Sequence, residues 1–367
     1  MTESATPWIR ASGDTSSVTQ AATPVQSGDT TQKSGTVLEV KDLHVQFRVH
    51  GGTVRAVRGL NLTIPAGTTV GLVGESGCGK SVSALTVMRL LEQNARVAKG
   101  EIKFRGKDLL KLSEQQMQQV RGNDISMIFQ EPMTALNPVF SVGDQIAEAV
   151  ETHEIADSAN ARKRAVSLLE MVGIADSKRR AREYPHQMSG GMRQRVMIAM
   201  ALACDPDLLI ADEPTTALDV TIQAQILSLM RDLKARTGAA ILLITHDLGV
   251  VAEMCDEVAV MYGGRIVEYA KTADLYRSPK HPYTVGLLQS IPRLYHKQDR
   301  LNVIRGNVPN PLTIPPGCSF HPRCPRRFEP CDRWVPSLAT VDHAHQAACF
   351  LYPEVQKLKD LDPATVK

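Results

Sequence analysis

One eight-residue segment restricts the possible folds of this sequence more than any other. Residues 74–81 read GESGCGKS and match the pattern G-x-x-x-x-G-K-[ST]. In such a loop the glycines let backbone N–H groups turn inward around phosphates, the lysine reaches the β- and γ-phosphate oxygens, and the serine binds Mg²⁺ at a helix N-terminus. The β-branched run 69–73 and the helical spacing of residues 81–91 predict strand, loop and helix. The predicted phosphate-binding residues are Gly74, Glu75, Ser76, Gly77, Cys78, Gly79, Lys80 and Ser81.

Two carboxylates follow a second apolar strand. Residues 208–211 form a continuous apolar run, and Asp212 and Glu213 come directly after it. Asp212 is suited to the coordination shell of Mg²⁺, and Glu213 is suited to act as a base or polarising group for an attacking water molecule. Acidic residues end many strands, so this pattern alone would be weak evidence. Together with the phosphate loop at Lys80, it predicts a site that hydrolyses a nucleotide.

A Ser-Gly-Gly segment begins a helix in the middle of the chain. Ser189 is a good N-cap, and Gly190 and Gly191 leave the first amides of the helix open toward an anion. An ordinary helix start can have the same residues. By itself, the segment therefore leaves an anion site and a plain helix cap as alternatives.

The order of these motifs resembles that in the ATP-binding subunits of ABC transporters, over about residues 38–289. By this resemblance, residues 189–191 form the signature motif of the family, Gln130 lies in its Q-loop, Asp219 lies in its D-loop, and His246 is its switch histidine. The resemblance implies an ATPase in which two such domains pack head to tail. Each ATP then lies between the phosphate loop of one subunit and the signature of the other.

The resemblance also implies a role for each residue of the site. Lys80, Mg²⁺ and the signature amides of the partner hold the phosphates, and Glu213 orients the attacking water. His246 contacts the γ-phosphate, and Ser81 and Gln130 are Mg²⁺ ligands, with Gln130 also linking the site to a permease. The expected catalytic residues are therefore Glu213, His246 and Gln130, and the expected cofactors are ATP and Mg²⁺.

Four segments look like a narrower group, the oligopeptide and dipeptide importer ATPases. They are residues 129–138, 212–225, 281–284 and 318–325. The likeness implies a subunit that energises peptide import together with a second ATPase subunit (self or related), two transmembrane permease subunits and an extracytoplasmic solute-binding protein. Nickel-importing relatives share much of the pattern, so nickel or another small solute stays open. A soluble ABC ATPase that acts on DNA or ribosomes without a permease is the other alternative.

Composition restricts the location and the partners of the chain. Its formal net charge is +3, which is too small to indicate a nucleic-acid-binding surface. No window approaches the roughly 18 consecutive apolar residues of a membrane-spanning helix, and residues 1–4 lack the features of a secretory signal. We therefore expect a cytosolic chain with no nucleic-acid partner. The resemblance to importer ATPases implies that it is a peripheral subunit at the cytoplasmic face of the inner membrane.

Two positions depart from the family pattern. Met192 stands where a glutamine usually follows the signature glycines, and the aromatic residue that stacks on adenine in many relatives is absent from residues 50–54. Phe47 is an alternative for the adenine contact. A phenylalanine in a strand is, however, more often part of a core.

Four of the seven cysteines crowd the C-terminal region, and these are Cys318, Cys324, Cys331 and Cys349. No pair has the C-x₂-C spacing common in zinc ribbons. Four thiolates suffice for an iron–sulfur cluster, and the Cys-Pro at 324–325 is similar to the end of a ferredoxin ligand run. The positions also resemble the peptide-importer C-terminal domain, which implies a four-iron four-sulfur cluster. Zinc with additional histidine ligands, and unliganded packing cysteines, remain alternatives.

Hydrophobic patterning, together with the family resemblance, gives the fold class. Residues 43–47 and 60–64 alternate apolar and polar side chains, which indicates half-buried antiparallel strands. Residues 208–211 and 240–245 are continuously apolar, as in a parallel sheet buried on both faces. We expect an α/β fold, namely a P-loop ABC-type nucleotide-binding domain with an antiparallel β layer and a helical subdomain, plus a small Cys-rich C-terminal domain.

Changes in composition along the chain predict the domain boundaries. Residues 1–36 are rich in Ser and Thr and predict a disordered tail. Residues 37–277 predict the nucleotide-binding domain, with its helical subdomain at about 131–203. Residues 278–367, where Pro, Arg, His and Cys increase, predict the C-terminal domain with the four-cysteine cluster.

Overall fold

The computed structural model describes residues 35–130, 135–153, 155–216, 218–291, 303–357 and 359–360. The predicted disordered tail, residues 1–36, lies almost wholly outside these ranges, so that expectation stays a prediction. Residues 131–134, which follow Gln130, and Ala217, which lies two residues before Asp219, are also outside them.

Strands form the framework of the described chain, in one antiparallel sheet, one mixed sheet and one short pair. In chain order they are β1 (Thr36–Val49), β2 (Gly52–Pro65), β3 (Thr69–Val73), β4 (Ala95–Phe104), β5 (Lys107–Asp108), β6 (Ile125–Ile128), β7 (Leu208–Asp212), β8 (Ala240–Thr245), β9 (Glu257–Tyr262), β10 (Arg265–Lys271), β11 (Val335–Pro336), β12 (Ala339–Asp342), β13 (His345–Ala347) and β14 (Lys359–Asp360). The antiparallel sheet has the order β2-β1-β4-β5, and the mixed sheet has the order β12-β13-β10-β9-β3-β8-β7-β6.

The antiparallel sheet follows from the alternation in the sequence. In β1, Leu43 and Val45 are fully buried, whereas His44 and Gln46 are partly exposed. Leu60 in β2 is buried in the same hydrophobic core as Leu43 and Val45. One face of the sheet therefore packs on apolar residues and the other meets solvent, which confirms the predicted antiparallel layer.

The centre of the mixed sheet is parallel and buried. Every residue of β3, β7 and β8 is buried, as expected for continuous apolar runs in a sheet that is covered on both faces. In register, Val73 lies beside Thr245, and Asp212 lies beside Ile244. The carboxyl ends of these three strands therefore meet at one edge, which is where open α/β sheets bind ligands.

Helices connect and cover the strands. In chain order they are α1 (Lys80–Val87), α2 (Glu114–Val120), α3 (Val142–Thr152), α4 (Ser158–Met171), α5 (Ser177–Arg180), α6 (Gly190–Ala201), α7 (Val220–Thr237), α8 (Leu248–Met254), α9 (Thr272–Arg277), α10 (Pro282–Gln289) and α11 (Pro353–Gln356). Helices α3, α4 and α6 pack together through buried residues such as Ile146, Leu169 and Val196. These three helices lie within residues 131–203, for which the sequence predicts a helical subdomain. Among the described helices, we find no candidate for a membrane-spanning segment.

The C-terminal segment extends the mixed sheet. Strand β13 pairs with β10, where Glu268 lies opposite Ala347 and Tyr269 lies opposite Gln346, and β12 then pairs with β13. The described residues between 35 and 360 belong to one compact unit. The separate Cys-rich C-terminal domain that the composition predicts is therefore not shown, because backbone pairing with the open edge of β10 joins this segment to the main sheet.

Candidate nucleotide site

The phosphate loop lies between β3 and α1. At two of its positions only glycine fits, because backbone atoms of neighbouring strands lie too close for a side chain. A Cβ atom on Gly74 would lie 2.2 Å from the carbonyl oxygen of Met261, and one on Gly79 would lie 2.5 Å from the carbonyl oxygen of Ala56. Gly79 also has φ +106°, in the left-handed region that glycine adopts without strain. Packing against β2 and β9 therefore determines the path of the loop.

Lys80 is held inside the loop by the carbonyl groups of the loop itself. Its Nζ donates to the carbonyl oxygen of Gly74 at 2.8 Å and to that of Glu75 at 3.2 Å, and the residue is 5% exposed. Burial raises the pKa of the neighbouring Cys78 thiol, so this thiol stays neutral and adds no charge beside the ammonium group. The ammonium group lies where phosphate oxygens can accept its hydrogen bonds.

Glu75 contacts the C-terminal part of the chain. Its backbone N–H donates to the Tyr283 hydroxyl at 2.9 Å, and its carboxylate pairs with Arg323 at 2.6 Å. These partners lie 208 and 248 residues away in the sequence. Sequence reasoning misses both of them, because no local pattern connects positions so far apart.

Ser81 and Asp212 are in contact at the carboxyl edge of the sheet. Ser81 Oγ donates to Asp212 Oδ1 at 3.1 Å, and Asp212 is 5% exposed. Burial raises the pKa of Asp212, against the lowering effects of the Ser81 hydrogen bond and the Lys80 charge. A hydroxyl and a carboxylate oxygen side by side are ligands that Mg²⁺ prefers. These residues therefore fit the expected metal ion.

Glu213 is the centre of a second polar cluster. Its carboxylate accepts hydrogen bonds from Gln130 Nε2 at 3.1 Å and from Thr216 Oγ1 at 2.9 Å, and it lies 3.3 Å from His246 Nδ1. The structure thus brings together the three predicted catalytic residues. Sequence reasoning misses Thr216, for which the only signal is its position three residues after Glu213 in the turn that follows β7.

The backbone and the charge of Glu213 are both constrained. Its φ is +49°, and its N–H donates to the Ile244 carbonyl at 2.8 Å. Burial acts to raise the pKa of Glu213, but hydrogen bonds with Thr216 and His246, together with the charge of Lys80, outweigh burial and lower that pKa. The carboxylate is therefore ionised at neutral pH, which is the state needed to orient or deprotonate water.

The Ser-Gly-Gly segment and Asp219 act as helix caps. Ser189 accepts a hydrogen bond from the Met192 N–H at 3.3 Å at the start of α6, and Asp219 accepts one from the Ile222 N–H at 2.9 Å at the start of α7. Both caps are exposed. In the described ranges, no hydrogen bond joins either cap to the phosphate loop. Their predicted contacts with a nucleotide stay a prediction.

Phe47 lies in β1 and is half-buried. It packs against a core to which both large sheets contribute, and it pairs with Val54 and Ala95 on the neighbouring strands. This position fits the interpretation as a core residue. A contact between Phe47 and adenine stays a prediction.

The four C-terminal cysteines line one small cavity together with Phe320 and Phe350. Burial raises the pKa of Cys318 to about 12 and the pKa of Cys349 to about 11, so both are neutral thiols at physiological pH. In the part of the chain that the structure describes, no group of three or more His, Cys, Asp or Glu side chains is arranged to hold a metal ion. Neither the expected iron–sulfur cluster nor the zinc alternative is therefore shown.

A phosphate loop, a hydroxyl–carboxylate pair for Mg²⁺ and an ionised glutamate at one edge of a parallel sheet define a P-loop ATPase. Residues 57–216 match the ABC transporter family, and residues 267–331 match the oligopeptide/dipeptide transporter C-terminal region. The chain belongs to the ABC transporter family and is one of its ATPases.

Individual relatives agree with this assignment. The chain is 52% identical to the dipeptide transport ATP-binding protein DppD of Bacillus subtilis, over 86% of this chain and 94% of that protein. It is 49% identical to the oligopeptide transport ATP-binding protein OppD of Salmonella typhimurium, over 87% of this chain and 95% of that protein. Among solved structures it is similar to the dimeric post-hydrolysis state of the ATP-binding cassette MJ0796 with ADP and Pi, with a TM-score of 0.58 and 26% identity over 64% of this chain and 98% of that chain.

Proposed function

We propose that this chain is the ATP-hydrolysing subunit that energises the import of di- or oligopeptides through an ABC transporter. One observation carries the proposal: the cluster around Glu213 occurs in the same chain as the region at residues 267–331 that matches oligopeptide/dipeptide transporters. A soluble ABC ATPase would need the cluster around Glu213, but it would not need a region of the oligopeptide/dipeptide transporter type.

In the proposed reaction, water attacks the γ-phosphorus of ATP and the bond from that atom to the β–γ bridging oxygen breaks, which yields ADP and phosphate. Lys80 and the N–H groups of the loop neutralise phosphate charge, and Glu213 orients the water and accepts its proton. Ser81 and Asp212 would hold Mg²⁺, which would supply further charge neutralisation when bound. His246, which lies 3.3 Å from Glu213, contacts the γ-phosphate.

Gln130 has two possible partners in this scheme. Its Nε2 donates to Glu213 at 3.1 Å, whereas a Mg²⁺ ligand would have to present its amide oxygen to the metal ion. We propose that Gln130 exchanges one partner for the other when nucleotide binds. That exchange would signal the state of the site to the permease.

We propose the remaining parts of the assembly from the same reasoning. Two chains of this type, identical or related, pack head to tail so that residues 189–191 and Asp219 of one complete the site of the other. Two permeases and an extracytoplasmic solute-binding protein complete a transporter at the inner membrane, with this chain on its cytoplasmic face. Residues 37–277 are the proposed nucleotide-binding domain, with the helical subdomain at about 131–203, and residues 278–367 are the proposed C-terminal domain.

The transport function is tested by purifying the chain from its native membranes in mild detergent and reconstituting what accompanies it. We expect recovery with multi-span permeases and a solute-binding protein, and ATP-dependent uptake of labelled peptides into vesicles. The Glu213→Gln variant is the control and should support no uptake. Uptake of nickel without peptide would favour the nickel alternative, and recovery with ribosomes or DNA enzymes would favour the soluble one.

We further propose that Cys318, Cys324, Cys331 and Cys349 bind a four-iron four-sulfur cluster with a structural role. Support comes from the convergence of four buried or half-buried thiols on one cavity. A poorly periodic segment of this kind gains stability from a bound metal. The high thiol pKa values mean that binding would release protons from the cysteines.

Metal analysis of anaerobically purified protein checks this proposal. We expect about four iron and four sulfide per chain, and loss of most of both in Cys324→Ser. Cys204→Ser is the matched control, because Cys204 is buried elsewhere in the fold and its replacement should leave the iron content unchanged. A colourless, iron-free wild-type protein with a folded C-terminal segment would contradict the cluster.

A further inference from the structure

An ion pair joins the phosphate loop to the C-terminal segment. Arg323 donates from Nη1 to Glu75 Oε2 at 2.6 Å and from Nη2 to Glu75 Oε1 at 3.0 Å. The Arg323 side chain is 5% exposed and that of Glu75 is 27% exposed. Two parallel N–H···O bonds to one carboxylate form the strong and directional type of ion pair. This pair therefore has a defined geometry and is partly shielded from water.

A second contact from the same region holds the backbone of the loop. The Tyr283 hydroxyl accepts a hydrogen bond from the Glu75 N–H at 2.9 Å. The Tyr283 ring lies 4.6 Å from that of Tyr262 and 5.3 Å from that of Phe320, and Arg323 donates to the Tyr262 hydroxyl at 3.3 Å. An aromatic cluster thus supports both partners of Glu75, which fixes the backbone and the side chain of this residue.

The charge of Glu75 affects the binding of phosphates because this residue lies in the phosphate loop. It is the second residue of the phosphate loop, and its carbonyl oxygen accepts a hydrogen bond from Lys80 Nζ at 3.2 Å. An unpaired carboxylate here would repel incoming phosphates. Arg323 cancels that charge. Loss of Arg323 therefore leaves a negative charge at the loop, whereas loss of Glu75 leaves a positive one.

We propose that Arg323 is a positioning residue of the nucleotide site, through which the C-terminal segment sets the affinity of the phosphate loop for ATP. Arg323 acts by neutralising and orienting Glu75. The inference rests on the proposed function, because it takes the loop as the ATP site. The inference also explains why the C-terminal segment contacts the phosphate loop.

Equilibrium binding of ATP with Mg²⁺ to the full-length chain, measured by calorimetry, tests the proposal. Arg323→Gln is expected to raise the Kd for ATP about tenfold, and Glu75→Gln is expected to lower it. The double variant should return toward the wild-type Kd, because neither charge remains. Arg327→Gln removes a charge from an exposed position nearby and should behave as wild type.

Three results would overturn the proposal: a double variant that binds as weakly as Arg323→Gln, an Arg323→Gln variant with wild-type Kd, or weaker binding by Glu75→Gln. The last remains decisive if Arg323→Gln does not fold. The defect of Arg323→Gln should also shrink as NaCl rises from about 0.05 M to about 0.5 M, because salt screens the repulsion. A wild-type chain that binds no ATP would instead contradict the proposed function itself.

Discussion

Replacement of Glu213 by glutamine is expected to lower the rate of ATP hydrolysis by about 10²- to 10⁴-fold while ATP binding changes by about twofold or less. The amide keeps the size of the side chain and one oxygen that can accept from Thr216. It removes the negative charge and the proton-accepting group at the point where Gln130, Thr216 and His246 converge. Phosphate release at saturating ATP, together with calorimetric binding of ATP, measures the two effects separately.

A surface glutamate provides the matched control for this experiment. Glu253 pairs with Arg231 and its side chain is 46% exposed, so Glu253→Gln makes the same chemical change away from the site. We expect its hydrolysis rate to equal that of the wild type. Wild-type turnover in Glu213→Gln would remove Glu213 from the mechanism.

Replacement of Lys80 by alanine is expected to raise the Kd for ATP by about 10- to 100-fold, since it removes charged hydrogen bonds to phosphate. The change also removes the donor that the carbonyl groups of Gly74 and Glu75 share. Without that donor the loop loses an internal restraint as well as a phosphate ligand. Hydrolysis should therefore fall too, and high ATP concentrations should restore only part of it.

Binding and thermal unfolding, measured on the same samples, separate a weakened site from a damaged fold. Lys111→Ala is the matched control, because the Lys111 side chain is 78% exposed and its ion-pair partner in the described chain is Asp108, away from the nucleotide site. Its Kd should equal that of the wild type. If Lys80→Ala bound ATP as tightly as wild type, Lys80 would not hold the phosphates.

The elements that position the nucleotide site are predictable where their signal is local. The β-branched run before Gly74 and the apolar run before Asp212 each specify a buried strand, and the sheet places both with their carboxyl ends at one edge. The alternation of apolar and polar side chains around Leu43 likewise specifies one half-buried strand. In each case the side-chain period of a single segment determines which face is buried.

The position of the C-terminal segment cannot be predicted from such local patterns. Its composition favours a separate domain, yet β13 pairs with β10 and the segment joins the mixed sheet. The pairing of β13 requires an unpaired edge of β10, and this edge is formed only when β10 has paired with β9. The convergence of four cysteines on one cavity is also a result of packing, since their spacing in the sequence does not specify it.

Local sequence patterns are sufficient to predict the chemistry of this protein: a loop that binds phosphate, carboxylates after a strand, and the order of motifs that marks an ABC ATPase. Which side chains contact one another is evident only in the folded structure. There, Thr216 contacts Glu213, and Arg323 and Tyr283 contact Glu75. The reason is that a motif is encoded by neighbouring residues, whereas a contact such as that between Glu75 and Arg323, 248 positions apart, depends on the packing of the whole chain.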